Sequence, residues 1–240
     1  MKDNRRMLVI LAHPDDESFP LGGTLAKYAA QGVQITLVCA TRGEKGINGL
    51  EPEETARLRE AELRAAASKL GISEVRFLGL VDGEVAQADG NHIVSMLTNL
   101  MRRIRPEVVI TFGPDGISGH PDHVTVSRLV TQAYDQALRS TFLSLTSRLF
   151  YISPSEATQQ GCGVVPAQEV AGGPVAMIDV GAYLVTKVIA AQQHASQNPP
   201  FTGSPEEEAG RMACHEYFTL ARPSSEYLSK DMDELFPTLI

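Results

Sequence analysis

Two short stretches concentrate the residues that could do chemistry. "LAHPDDESF", residues 11–19, puts His13, Asp15, Asp16 and Glu17 directly after the apolar run "MLVI". "GHPDHVT", residues 119–125, puts His120, Asp122 and His123 after the run "EVVITFG". Imidazoles and carboxylates are ligands for a divalent ion. His13 and Asp16 are three positions apart, as are His120 and His123, so each pair shares one face if its stretch opens a helix. Three of these four groups around one ion, with one position left for water, is the usual composition of a catalytic zinc site. Two His and a carboxylate also suit ferrous iron. The competing reading is two acidic helix starts: Pro14 and Pro121 suit a first helical turn, and Asp there complements the helix dipole. Capping does not call for histidine, and His-Pro-Asp occurs twice, each time after an apolar run.

The surrounding pattern alternates strand and helix. "RMLVILA" reads as a buried strand, and Leu21, Leu25 and Tyr28 give helical spacing over about 17–31, with Gly32 to end it. "QITLVCAT" is a second strand. "ETARLREAELRAAASKLG" is a helix that Thr55 can cap and Gly71 can terminate, with Leu58, Leu63 and Leu70 near one face. "EVRFLGL" is a third strand, "NHIVSMLTNLMRRI" a helix closed by Pro106, "EVVITFG" a fourth strand and "HVTVSRLVTQAYDQALR" another helix. "SRLFYIS" and "VAMIDV" follow as strands, and "AYLVTKVIAAQQHASQ" as a helix. Such alternation implies an α/β fold: a Rossmann-like, doubly wound, mostly parallel sheet with helices on both faces. Ligands then bind beyond the carboxyl ends of the strands, near the switch in strand order. Both His-Pro-Asp stretches lie at such ends. A single domain over 1–240 is expected, with long loops near 42–54 and 152–174, the first of them a candidate for mobility.

Composition narrows the partners. A net charge of -8 argues against a nucleic-acid or anionic-membrane partner. Cys39, Cys162 and Cys214 are odd in number, far apart and without CxxC, which suits free, buried thiols in a reducing cytosol. The N-terminal "MKDNRRM" is basic, but the apolar run after it is too short for a signal peptide or a membrane span. A cytoplasmic protein is expected. The Gly22-Gly23 pair is not a dinucleotide fingerprint, since no GxGxxG follows the first strand.

"AHPDDE" with a later "GHPDH" resembles the zinc-dependent deacetylase superfamily of LmbE-like proteins and N-acetylglucosaminyl-phosphatidylinositol de-N-acetylases, the PIG-L family. "TRGEKG" at 41–46, "LREAELRAAASKLGI", "IRPEVVITFGPDG" and "KVIAAQQHASQ" are similar to segments of that family; 152–174 matches nothing in it. The resemblance implies His13, Asp16 and His123 as zinc ligands, with iron an alternative. It implies Asp15 as general base, acting on a zinc-bound water that attacks an amide carbonyl. It implies His120 as the group that stabilises the oxyanion, with Asp122 orienting His120 and favouring its protonated form. Glu17 is left for the helix start or a supporting role. Arg59 matches the family Arg associated with the polar substrate, its alternative being a solvated helix face. Arg42 and Glu44 border the crevice in this reading, and Asp82 contacts a sugar hydroxyl or makes an Asp-Gly turn. His194 is read as packing or capping late in its helix, and His92 and His215 as surface or partly buried.

The implied activity is metal-dependent removal of acetyl from an N-acetylglucosamine-containing small molecule. The alternatives are an amidase of a thiol conjugate on the same site, and a non-catalytic metal- or sugar-binding module. A nucleotide-dependent enzyme lacks its phosphate loop. A homo-oligomer is a further expectation of the resemblance, with "SEYLSKDMDELFPTLI" as a contributor.

Overall fold

The computed structural model describes residues 5–140, 142–143, 147–153, 175–222, 231–232 and 234–236. Its centre is β1 (Arg6–Leu11), whose residues 7–11 are no more than 1% exposed. A continuous apolar strand of this kind fits only where both faces of a parallel sheet are covered. β2 (Gln34–Thr41) flanks it on one side and β4 (Val108–Phe112) on the other, with Val9 opposite Leu37 and Ile110. β3 (Glu74–Leu80) forms the half-exposed edge. β5 (Arg148–Ser153) continues the sheet beyond β4, followed by β7 (His215–Arg222), β6 (Val175–Asp179) and β8 (Asp231–Met232). The eight strands lie in the order β3-β2-β1-β4-β5-β7-β6-β8. The first five are mutually parallel, β7 is antiparallel to β5 and β6, and β8 is parallel to β6.

Helices α1 (Gly22–Ala30), α2 (Pro52–Leu70) and α5 (Leu184–Ala191) pack against one another, as do α3 (Gly90–Ile104) and α4 (Pro121–Arg139). With right-handed crossovers these are two layers on opposite faces of the sheet. A short helix, α6 (Pro205–Ala209), packs on α5. Strand order reverses between β1 and β4, so the crevice at the switch point lies between the loops that follow them. Those loops carry the two His-Pro-Asp stretches. Among the described residues no helix is long and apolar enough to cross a membrane.

Several local expectations are corrected. Residues 12–21 form consecutive turns, and α1 starts only at Gly22, not near 17. Asp15 has φ +111, which no helix admits. Glu51 occupies the N-cap of α2 with Pro52 after it, so Thr55 lies one turn inside and is buried, while Leu58 is 42% exposed. The 182–197 segment shortens to α5 with a 3-10 turn on either side. Nothing in the spacing of 205–222 predicted β7, whose insertion needs no helical crossover because it runs antiparallel. The 42–54 loop is anchored rather than loose: Arg59 donates to Gly43 O at 3.1 Å and the Lys45 N–H donates to Asp82 at 3.0 Å. Cys39 is buried as expected but Cys214 is exposed. Cys162, and all of the 152–174 loop beyond Ser153, lie outside the described residues, as does most of 225–240. Within that last segment Leu235 and Phe236 are buried against the chain's own core, Phe236 edge-on to Tyr28.

One long-range cap fixes the helix after the first loop. Leu21 at the N-cap of α1 offers no side-chain acceptor. Glu216 of β7 takes its place, accepting from Gly23 N at 3.1 Å and Thr24 N at 2.7 Å. Lys187 balances that buried carboxylate at 2.6 Å. A Cβ on Gly23 would lie 2.7 Å from Val180 Cβ. Gly23→Ala should therefore destabilise by about 1–3 kcal/mol through overpacking, despite alanine's better helix propensity. An unchanged urea midpoint would show that Val180 yields freely.

Candidate metal centre

Three side chains converge where β1 and β4 end. His13 Nδ1 lies 3.2 Å from His123 Nε2. Asp16 Oδ1 lies 3.3 Å from His123 Nε2, and Asp16 Oδ2 lies 3.7 Å from His13 Nδ1. For ligand bonds of 2.0–2.2 Å, the edge of a coordination tetrahedron is about 3.3–3.6 Å. The three separations lie within about 0.1 Å of that range, Asp16 facing the two histidines through different oxygens.

Hydrogen bonding aims the lone pairs inward. His13 Nε2 faces Asp122 Oδ2 at 3.1 Å and Asp82 Oδ1 at 3.2 Å, so in the neutral ring it carries the proton and Nδ1 is left as the acceptor. His123 Nδ1 faces Gly116 O at 3.1 Å, which leaves Nε2 as the acceptor. Two imidazole lone pairs 3.2 Å apart repel one another unless a cation or a proton lies between them. The donor set, the protonation pattern and the spacing all fit a divalent ion. Packing holds the His123 ring as well: it stacks on Phe112 with centroids 4.1 Å apart and planes 6° from parallel. Gly116 makes that approach possible, since a Cβ there would lie 2.9 Å from His123 Cβ, and its φ is +69.

The neighbours of this cluster are arranged differently from expectation. Asp122 is buried, and its carboxylate turns to His13 and to the backbone N–H groups of Gly83 at 2.7 Å and Val85 at 3.2 Å, not to His120. Only the backbone N–H of Asp122 meets His120, donating to Nδ1 at 3.2 Å. That contact makes Nδ1 the acceptor and leaves Nε2 to carry the ring proton. His120 is exposed at the rim, its ring 4.8 Å from that of His13 and 4.9 Å from that of His123. Asp82 is 7% exposed and engaged by His13 and Lys45 N, so its carboxylate serves the histidine first. Glu44 accepts from the Asp82 N–H at 2.8 Å. Arg42 pairs with Glu53 and Glu60 of α2, at 3.1 Å each. Arg59 is neither solvated nor free for a ligand: it is 4% exposed and donates to Pro14 O, Gly43 O and Asp15. His92 is exposed and His215 half-buried, as expected. His194 lies beyond the end of α5, wholly buried, 2.7 Å from Glu17. No spacing rule could have paired residues 177 positions apart.

The charges shift one another strongly. Burial alone would lower the His13 pKa, but the Asp82 hydrogen bond, the charge of Asp16 and the Asp122 hydrogen bond carry it up to about 9. Burial would raise Asp82, yet His13 holds it at about 2. Asp15 is pushed up to about 7 by burial and by Asp16, against the pull of Arg59. His123 is lowered, chiefly by burial and against the charge of Asp16.

A cleft of about 380 Å³ opens from this cluster toward β5 and β7. Asp16 and His123 lie at one end; Phe19, Ile117, Ile152, Phe201 and Met212 form much of its wall. Phe19 and Phe201 stack with centroids 6.1 Å apart.

Comparison with known proteins agrees with the fold. A relative from Saccharomonospora viridis, described as a 1D-myo-inositol 2-acetamido-2-deoxy-alpha-D-glucopyranoside deacetylase, is 32% identical; the alignment covers 94% of this chain and 98% of the relative. Alignments with five further relatives of the same description cover only 44% to 58% of those chains. The structure of N,N'-diacetylchitobiose deacetylase from Pyrococcus horikoshii superposes with a TM-score of 0.69 at 24% identity, over 91% of this chain and 84% of that one. That of 4-carboxy-2-hydroxymuconate hydratase from Pseudomonas putida gives 0.68 at 20%, over 94% and 100%. At these identities the two structures speak for the fold alone. The family model of GlcNAc-PI de-N-acetylases matches residues 8–134. Spanning more than half of the sequence and both His-Pro-Asp stretches, that match places the chain in the PIG-L (LmbE-like) family.

Proposed function

We propose that the chain is a metal-dependent amidohydrolase that removes acetyl from an N-acetylglucosamine-containing small molecule, releasing acetate and a free amine. The convergence of His13, Asp16 and His123 with inward lone pairs carries this reading. Family membership and the deacetylase description of the aligned Saccharomonospora viridis relative support it.

In this reading His13 Nδ1, Asp16 and His123 Nε2 hold zinc, or ferrous iron in its place. The ion supplies Lewis acidity, polarising the amide carbonyl and acidifying water. Asp15 accepts a proton as the water oxygen bonds to the carbonyl carbon. It returns that proton to the nitrogen as the C–N bond breaks. His120 donates a hydrogen bond from its Nε2–H to the carbonyl oxygen as negative charge develops there, keeping its proton. Asp122 and Asp82 orient His13 by accepting from its Nε2. The whole chain acts as one domain, in the cytoplasm, where its free Cys39 and Cys214 remain reduced.

One observation favours a second reading of the substrate. The largely apolar wall of Phe19, Ile117, Ile152, Phe201 and Met212 suits an apolar substituent, as in the amide of a thiol conjugate, better than it suits a polyol. The test is acetate release from a panel of N-acetylglucosaminides with inositol, alkyl and aryl aglycones, alongside amide thiol conjugates. Turnover should vanish on chelation and return with zinc or ferrous iron. Metal-independent turnover, or none across the panel in the reconstituted protein, would overturn the proposal.

A further inference from the structure

The Pro14–Asp15 peptide is held from both ends by buried charges. Arg59 Nη2 donates to the Pro14 carbonyl at 2.6 Å, and Glu17 Oε2 accepts from the Asp15 N–H at 3.1 Å. These two groups belong to one peptide plane, whose tilt sets φ at Asp15. That φ is +111, a conformation that costs a residue with a side chain about 1–3 kcal/mol and persists only where the surroundings enforce it. Ser18 N donates to Asp15 O at 3.0 Å, fixing the following peptide too.

The anion of this clamp has its own anchor. Glu17 is fully buried, and its other oxygen accepts from Ser18 Oγ and faces His194 Nε2 at 2.7 Å. His194 is equally buried, and its Nδ1 has no partner among the described residues. A buried His–carboxylate pair with an unmatched ring nitrogen is poor stabilising design; well-packed apolar side chains would serve stability as well or better. Its geometry has a different use: it fixes the oxygen that grips Asp15.

We infer that Glu17 and His194 are positioning residues: together with Arg59 they clamp the Pro14–Asp15 peptide plane and so hold the Asp15 carboxylate in its working place. The inference rests on the hydrolase reading for the role of Asp15. Neither residue is proposed as a metal ligand, and neither would touch the substrate.

The experiment compares Glu17→Ala, Glu17→Gln and His194→Gln in the metal-loaded protein. His194→Gln leaves Glu17 in place and guards against a Glu17→Ala chain that fails to fold. Metal stoichiometry should stay at the wild-type value. The kcat of Glu17→Ala and His194→Gln should fall about 10- to 100-fold with KM within about twofold, the scale of a reacting group displaced by roughly 1 Å. Glu17→Gln still offers an oxygen to the Asp15 N–H and should recover most of the loss. In an Asp15→Ala background His194→Gln should cost nothing more, since residues that act as a unit are not additive. Amide exchange in the 13–18 segment should quicken in His194→Gln while β4 stays protected. Unchanged kcat and exchange, or an undiminished loss in the Asp15→Ala background, would overturn the clamp. If the wild type hydrolyses nothing, the reading of the site fails, and exchange alone still decides whether Glu17 and His194 hold this backbone.

Discussion

His123→Ala should emerge from gel filtration with less than about a tenth of the wild-type metal content. Removing a group that merely supports a ligand costs about 10- to 100-fold in affinity, and removal of a ligand costs at least that much. The structure gives the reason in distances. His123 Nε2 is the atom nearest to both other members, 3.2 Å from His13 Nδ1 and 3.3 Å from Asp16 Oδ1. Without it two ligands remain, and His13, flanked by Asp82, Asp122 and Asp16, keeps its proton instead. His120→Ala provides the contrast. Its Nδ1 is taken by the Asp122 N–H and its ring stands at the exposed rim, so metal content should stay near the wild-type value while kcat falls. Equal metal occupancy in His123→Ala and wild type, by elemental analysis, would refute the assignment. So would the reverse pattern, with His120→Ala the empty protein. The three histidines are close enough together for that to be a real alternative, since their ligand atoms all lie within 4.8 Å of one another.

The sequence made β1 to β6 plain and left β7 opaque, for physical reasons. β1, β2 and β4 are apolar runs because both of their faces are covered, and such runs advertise themselves. β7 sits among antiparallel neighbours with its buried and half-buried residues interleaved, and only the five-residue α6 precedes it, with no crossover helix to mark it. The two His-Pro-Asp stretches were legible as chemistry because histidine is an unusual helix cap, although His120 does occupy the N-cap of α4 and accepts there from the Asp122 N–H. His13 and Asp16 nevertheless do not meet through helical spacing. They approach through an irregular turn in which the His13 N–H donates to Asp16 Oδ2 at 2.7 Å. Roles that depend on orientation were not legible at all. The resemblance implied that Asp122 orients His120, two positions away; the fold turns its carboxylate to a histidine 109 positions away. Arg59 looked like a ligand-binding side chain, because an arginine on a helix face gives no hint that it will be buried beneath a loop and spent on backbone carbonyls.

Asp15→Asn should retain the metal and lose about 10²- to 10⁴-fold in kcat, the range spanned by general acid–base catalysis. Asparagine is the appropriate replacement here because it tolerates positive φ better than most residues, so the backbone at +111 is not asked to move. Its amide oxygen can still accept from Arg59 Nη2, which lies 3.1 Å from Asp15 Oδ2. What the amide cannot do is take a proton. The native carboxyl is set for that task by opposed influences: burial and the adjacent Asp16 raise its pKa to about 7, while Arg59 restrains the rise. Asp16, one position on, points to the histidines, so the two neighbouring carboxylates have separate duties and the substitution should leave metal stoichiometry alone. KM should change little, because the hydrogen-bonding outline of the side chain is kept. Should Asp15→Asn turn over within about threefold of the wild type, proton transfer belongs to another group; should it lose metal in step with activity, Asp15 belongs among the ligands and the division of labour between the two carboxylates is wrong.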